Sequence, residues 1–182
     1  EMGAVVGAIA VFIFFAAVAP TFVQPDSIAT VLYGASTIGI MAVGVSLLLI
    51  GGEFDLSTGV AVITSSLTAS LFSWYFSTNV WVGVIVSLVF ALGIGFINGW
   101  LLIVTKLPSF IVTLATFLML TGLNLGLTRL IGGGVSSPPI ADLDGFAAAK
   151  AIFASDIPLF GIKVKITVFI WIALVAIASW VL

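Results

Sequence analysis

Long apolar runs alternate with short polar breaks along the whole chain. Gly3–Ala19 is the first run, closed by Pro20 and by Thr21–Ser27, where Asp26 and Ser27 are placed to cap the next helix. Ile28–Ile50 is the second. Gly51–Asp55 interrupts the pattern, and Leu56–Phe76 resumes it with Asp55 at the N-cap position. Val80–Val104 is the fourth run, entered through Ser77-Thr78-Asn79 and left through Thr105-Lys106. Pro108 suits the first turn of a fifth helix, where its missing amide is no loss, and that run extends to about Ile131 before Gly132-Gly133-Gly134 ends it. Ser136–Lys165 is the one long hydrophilic stretch. Within it Ala147–Ala154 predicts a short interfacial helix and Ile157–Lys165 an extended segment. A sixth apolar run begins near Ile166. A crossing helix needs about 20 apolar residues, so the pattern predicts an all-α integral membrane protein, a polytopic helix bundle of about six spans with a broken helix near 51–56.

Composition strengthens this reading. The chain is 62% hydrophobic and 7% charged, with a mean hydropathy of +1.42, whereas soluble domains are about 45–50% apolar and about 25% charged. The apolar signal covers the full length, so neither a secretory signal nor a single anchor accounts for it. We expect one transmembrane domain over residues 1–182, with 132–165 as an extracytoplasmic loop. Glu1 is not an initiator and the last run stops at Leu182 without a closing loop, so the chain is expected to be a fragment whose C-terminal part is absent. Lys106 favours a cytoplasmic fourth-to-fifth connection, which by parity puts the long loop outside, whereas Lys150, Lys163 and Lys165 in that loop pull the other way.

Several chemistries are excluded. The chain has no Cys and no His, which removes disulfides, His-based zinc or haem sites and a Ser-His-Asp hydrolase. A net charge of -2 without a basic cluster offers nothing to nucleic acid. No GxxxxGK[ST] loop occurs, so ATP is not hydrolysed here by a Walker-type site. Glu53 and Asp55 make a poor pair for glycoside hydrolysis, since no sugar cleft is evident.

The candidate chemistry lies at the break. Gly51 and Gly52 permit backbone angles that other residues avoid. Asp55, Ser57 and Thr58 can each satisfy amides freed at the next helix start. Ionisable groups in a bilayer face protein, water or a transport path, and discontinuous helices beside a cavity are a recurrent transport device. A capped turn at the membrane surface is the plainer reading of the same residues, and Glu53 is free to point to water. A second polar set comprises Asn98, whose amide needs a partner on a neighbouring helix, and Thr113, Thr116, Thr121 and Asn124 along the fifth run. Threonines there commonly bond back to their own helix; the functional alternative is a polar stripe facing a hydrophilic solute. Arg129 suits the negative end of its helix dipole. Gly34, Ala35, Gly39, Ala42 and Gly44 in the second run, and Gly93 and Gly95 in the fourth, are expected to permit close helix approach.

The run GGEFDLSTG, Gly51–Gly59, resembles the GG-x-DLS-x-G signature of the membrane permeases of ribose-type ABC importers. INGWLLIVTKLPSFIVTLAT, Ile97–Thr116, is similar to that family's second stretch. The resemblance covers nearly all of this chain and about the first half to two thirds of such a permease. It implies a type II ABC importer-like permease in the bacterial plasma membrane, a transport subunit rather than an enzyme, carrying no cofactor because ATP is bound by a partner. Implied partners are an ABC ATPase subunit, an extracytoplasmic solute-binding protein that delivers a monosaccharide, a second permease copy as homo- or heterodimer, and membrane lipid, with no nucleic acid. Gly51, Gly52, Asp55, Ser57, Asn98, Thr113 and Thr116 are the candidate translocation-pathway or gating residues, and Glu53 departs from the apolar residue common there. Competing readings are an ABC permease for a nucleoside, autoinducer or branched-chain amino acid, an ion-coupled carrier using Glu53 and Asp55, and a non-transporting scaffold.

Overall fold

A computed structural model describes residues 2–159 and 161–181, without the side chains of Met2 and Ala4. The elements run α1 (Met2–Val18), α2 (Pro25–Ile50), α3 (Thr58–Tyr75), α4 (Val80–Thr105), α5 (Ser109–Gly132), α6 (Phe146–Phe153), β1 (Asp156–Leu159), β2 (Ile162–Lys165) and α7 (Ile166–Val181). All six apolar runs become helices. Among the described residues α2, α4 and α5 are long and apolar enough to cross a membrane by themselves, whereas α1 and α7 are shorter. The 18 residues of α3 fall short of α4 by about two turns, and an extended stretch ahead of α3 makes up that length.

The chain divides into two compact units, residues 41–153 and residues 1–40 with 154–182. In the first, α3, α4 and α5 pack around Val60, Ile94 and Leu120. Gly83 is where α3 and α4 come closest: a Cβ there would strike the Ala69 carbonyl and the Ser73 hydroxyl. The expected small-residue contacts at Gly93 and Gly95 do not form, since both face open space. At that end of the pair, Ser77 closes α3 with a left-handed φ of 48°. Asn79 caps α4 by accepting from the Trp81 amide at 3.0 Å, as its position ahead of the apolar run implies. The Asp144 carbonyl accepts from the Val80 amide, and this holds the loop before α6 against the start of α4.

In the second unit, Phe12 and Phe15 of α1 meet Phe22. Gly39 of α2 lies against the Trp171 indole of α7, while Gly34 faces open space. Pro25 opens α2, so Asp26 and Ser27 sit in its first turn rather than ahead of it, and the Ser27 hydroxyl donates to the Thr21 carbonyl. The expected extended segment is an antiparallel hairpin in which Asp156 faces Lys165, and the pair forms an ion pair at 2.8 Å. Phe160, inside that segment, lies outside the described residues.

Candidate functional site

The break is a helix stop followed by an extended link. The Gly52 amide donates to the Leu49 carbonyl and the Glu53 amide to the Leu48 carbonyl, with Gly52 at φ 83°. This pairing of carbonyls around a left-handed residue is the Schellman termination, and glycine adopts it without the clash a Cβ would bring. Beyond it, Phe54 and Leu56 send their amides toward one face of α5: Phe54 donates to the Ser109 hydroxyl at 3.0 Å and Leu56 to the Thr113 hydroxyl at 3.2 Å. The two spacings match, because two residues of extended chain advance about 6.7 Å and four residues of helix about 6 Å. Hydroxyls at positions i and i+4 of α5 thus serve as the ladder partner that an edge-like segment otherwise lacks.

A relay of side chains continues from there. The Asp55 carboxylate accepts from both the amide and the hydroxyl of Ser57, at 2.7 and 2.6 Å, through a single oxygen. The Ser57 hydroxyl accepts from the Asn98 amide of α4 at 3.0 Å. The Asn98 carbonyl oxygen accepts from the Thr116 hydroxyl of α5 at 2.6 Å. Ser57 is 1% exposed, Thr113 5%, and Asn98 and Thr116 7% each. These groups satisfy one another and tie the start of α3 to both neighbouring helices. Asp55 acts as a cap through the Ser57 amide, although the regular helix begins only at Thr58. Pro108 likewise stands one place ahead of α5 rather than inside its first turn.

The depth of the relay along its helices bears on the two readings of the break. Asn98 stands seven residues before Thr105 and Thr116 seven after Ser109, about 10 Å along each helix at 1.5 Å per residue. A 26-residue α4 is about 39 Å long and overhangs a hydrocarbon core of about 30 Å by about 5 Å at each end when centred. With α4 centred on such a core, the start of α3 falls several ångströms inside it. Irregular backbone at that depth persists only where protein or water meets its polar groups, and here hydroxyls and an amide meet them.

Gly51, Gly52, Asp55, Ser57, Asn98, Thr113 and Thr116 thus all belong to one assembly, the first two as its entry turn. Ser109 was missed, although its spacing of four from Thr113 and seven from Thr116 is the helical signal that reveals it. Glu53 is half-buried, and its carboxylate has no hydrogen-bond partner among the described residues. Thr121 bonds back to the Phe117 carbonyl, as the plainer reading of the threonines holds. Arg129 is exposed in the last turn of α5. No metal-binding group of carboxylates occurs among the described residues.

Apolar helices joined through a polar, non-helical segment define a multi-pass membrane protein. Residues 27–182 match the family model described as branched-chain amino acid transport system / permease component, and the chain belongs to that family of transport subunits. It is 34% identical over 142 residues to the xylose transport system permease protein XylH of Haemophilus influenzae, covering 74% of this chain and 35% of that protein. It is 33% identical over 128 residues to the XylH of Escherichia coli, covering 66% and 31%. It is 29% identical over 148 residues to the xylose/arabinose import permease protein XylH of Sulfolobus acidocaldarius, covering 72% and 41%. The matched part of the chain spans about a third of the length of these curated relatives. No solved structure matches it.

Proposed function

We propose that this chain is part of the translocation subunit of an ATP-driven ABC importer for a monosaccharide, and that the solute is a pentose of the xylose kind rather than ribose. The names carried by the relatives support the sugar, and membership of a permease family supports the transport role. An ABC ATPase, an extracytoplasmic solute-binding protein and a second permease copy complete the working assembly, with ATP bound by the ATPase. Residues 132–165 face the extracytoplasmic side in this arrangement.

The observation that carries the mechanism is the buried relay from Asp55 through Ser57 and Asn98 to Thr116. Its hydrogen bonds are spent within the protein, so these residues suit gating better than direct contact with sugar. Alternating access requires two helix arrangements, and each partner shifts them only by its differential affinity for the two. A link held to α4 and α5 by separable hydrogen bonds, each worth about 0.6 kcal/mol in membrane proteins, can change partners at small cost.

The test uses the full-length protein with its partners in proteoliposomes. Xylose uptake is expected to require ATP and the solute-binding protein, and Asp55→Ala to impair uptake while leaving receptor binding intact. Uptake that ignores ATP and collapses with an ionophore overturns the importer reading. Normal uptake by Asp55→Ala at normal expression overturns the role of the link.

A further inference from the structure

Between α3 and α5, with Phe90 of α4 completing the lining, lies a cavity of about 230 Å³. It follows α3 from Tyr75 to Thr64 and α5 from Ile131 to Leu120, a rise of eleven residues on each helix, or about 16 Å. Spread over that length, the volume gives a mean section of only about 14 Å², so the cavity is a slot rather than a chamber. Tyr75 and Phe76 at one end are 62% and 57% exposed, whereas Thr64 and Leu120 at the other are 5% and 3% exposed. The slot is therefore open where α3 and α5 end and closed below.

Its wall is hydrocarbon even where its residues are not. Thr64 and Thr128 donate their hydroxyls to the Val60 and Asn124 carbonyls of their own helices, at 2.8 and 2.6 Å, which leaves their methyl groups for the slot. Leucine and phenylalanine side chains supply most of the rest. Asn124 is the exception, and it lines both the slot and the open groove that runs to Gly59, at the boundary of the two.

The slot also matches the membrane in depth. Gly83, which meets Ala69 and Ser73 of α3, stands three residues inside the start of α4, about 4.5 Å. When α4 is centred, its overhang is about 5 Å, so Ser73 lies near the edge of the hydrocarbon core and Tyr75 at headgroup level, where tyrosine is favoured. Thr64 then lies about 13 Å deeper than Ser73, close to the midplane of a core about 30 Å thick. The slot is as deep as one leaflet.

We propose that the slot binds one acyl chain of a membrane phospholipid, which enters beside Tyr75 and carries its terminal methyl to Thr64 and Leu120. An apolar cavity does not hold water, and leaving this one empty forfeits the dispersion contacts of its whole wall. A helix, about 10 Å across, is too thick to enter, whereas a single polymethylene chain suits the slot in width, length and polarity. The chain lies between α3 and α5 at the Tyr75 end, while hydrogen bonds to Thr113 and Asn98 hold the start of α3. It is thus a ligand distinct from any transported solute, and part of the packing of these helices.

The test is photolabelling of the full-length protein in vesicles of phosphatidylethanolamine and phosphatidylglycerol. Two probes are compared, phosphatidylethanolamines with a diazirine near the glycerol end or at the methyl end of one acyl chain. Peptide mass spectrometry should place label from the first probe near Phe72 and Tyr75, and label from the second on Leu67 and Leu120. Leu120 is 3% exposed, out of reach of lipid that merely surrounds the protein. Leu127→Trp narrows the slot and should lower the Leu120 label at least fivefold, with total labelling of the protein unchanged. Absence of label from Leu67 and Leu120 with the methyl-end probe overturns the proposal, whether protein fills the slot or the slot has closed. Label on Leu120 that persists in folded Leu127→Trp protein overturns it as well. If that variant does not fold, the unmodified protein decides, because equal labelling of Leu120 by both probes is incompatible with a chain inserted methyl-end first. The labelling needs no transport, so its outcome is independent of the importer reading.

Discussion

At its Thr58 end α3 is tied to α4 and α5 by side-chain hydrogen bonds, whereas at its Tyr75 end it meets α4 across Gly83 with only the Ser73 side chain between. The first junction depends on which polar atoms are present: Asp55, Ser57, Asn98, Thr113 and Thr116 each complete a neighbour. The second depends on an atom that is missing, the Cβ of Gly83, whose place is taken by the buried Ser73 hydroxyl with no hydrogen-bond partner among the described residues. A polar junction can be broken and remade in another register, but a steric one can only be kept or lost. One end of the α3–α4 pair is thus held by steric fit and the other by hydrogen bonds.

The largest expected effect is at the steric end. Gly83→Ala places a methyl group against the Ala69 backbone carbonyl, which cannot rotate away, and should destabilise the full-length protein by about 3 kcal/mol, the upper part of the range for overpacking. Reversible unfolding in mixed detergent micelles measures this, and an unchanged midpoint would show that α3 and α4 separate freely there. Asn98→Leu comes next. It removes the partner that joins the Ser57 and Thr116 hydroxyls, which fall back on the Asp55 carboxylate and the Val112 carbonyl, and should cost about 1.5 kcal/mol. A double-mutant cycle with Thr116→Val sharpens the point: coupling near 0.6 kcal/mol is expected for a membrane hydrogen bond, and strict additivity would mean that the relay is not a unit. Asp55→Ala removes the cap together with the acceptor of the Ser57 hydroxyl and should cost about 1 kcal/mol. Smallest is a gain. Ser77 holds a left-handed conformation that costs a non-glycine residue about 1–2 kcal/mol, and Ser77→Gly should recover less than about 1 kcal/mol after the added chain entropy of glycine. Any loss of stability there would assign Ser77 a contact of its own.

The difference between the two ends also explains what was legible in the chain. Helices follow from apolar runs because an apolar stretch of that length has few other stable forms in a bilayer, and Gly52 and Asp55 stand out because they interrupt such a run. Asn98 and Thr116 are visible as intrusions for the same reason. Their pairing with each other and with Ser57 is not, since Asn98 lies 18 residues from Thr116 and 41 from Ser57 and only packing brings them together. Ser109 escaped notice beside Pro108, where a serine reads as ordinary helix-start chemistry. Gly83 stands in the same apolar run as Gly93 and Gly95, and nothing local distinguishes the glycine that meets a backbone from those that meet open space. The hairpin showed as an extended segment, but the facing of Asp156 and Lys165 required a turn whose place alternation alone does not fix.

The match between an extended link and the hydroxyls of α5 carries a rule of length. Alternate amides of the link face Ser109 and Thr113, so inserting or deleting one residue between Gly52 and Ser57 would present the opposite groups to those hydroxyls, with every side chain turned about. A change of two residues preserves the facing and merely moves the rungs. Among natural variants of this segment, changes of even length are therefore the ones compatible with a helix that still begins inside the membrane.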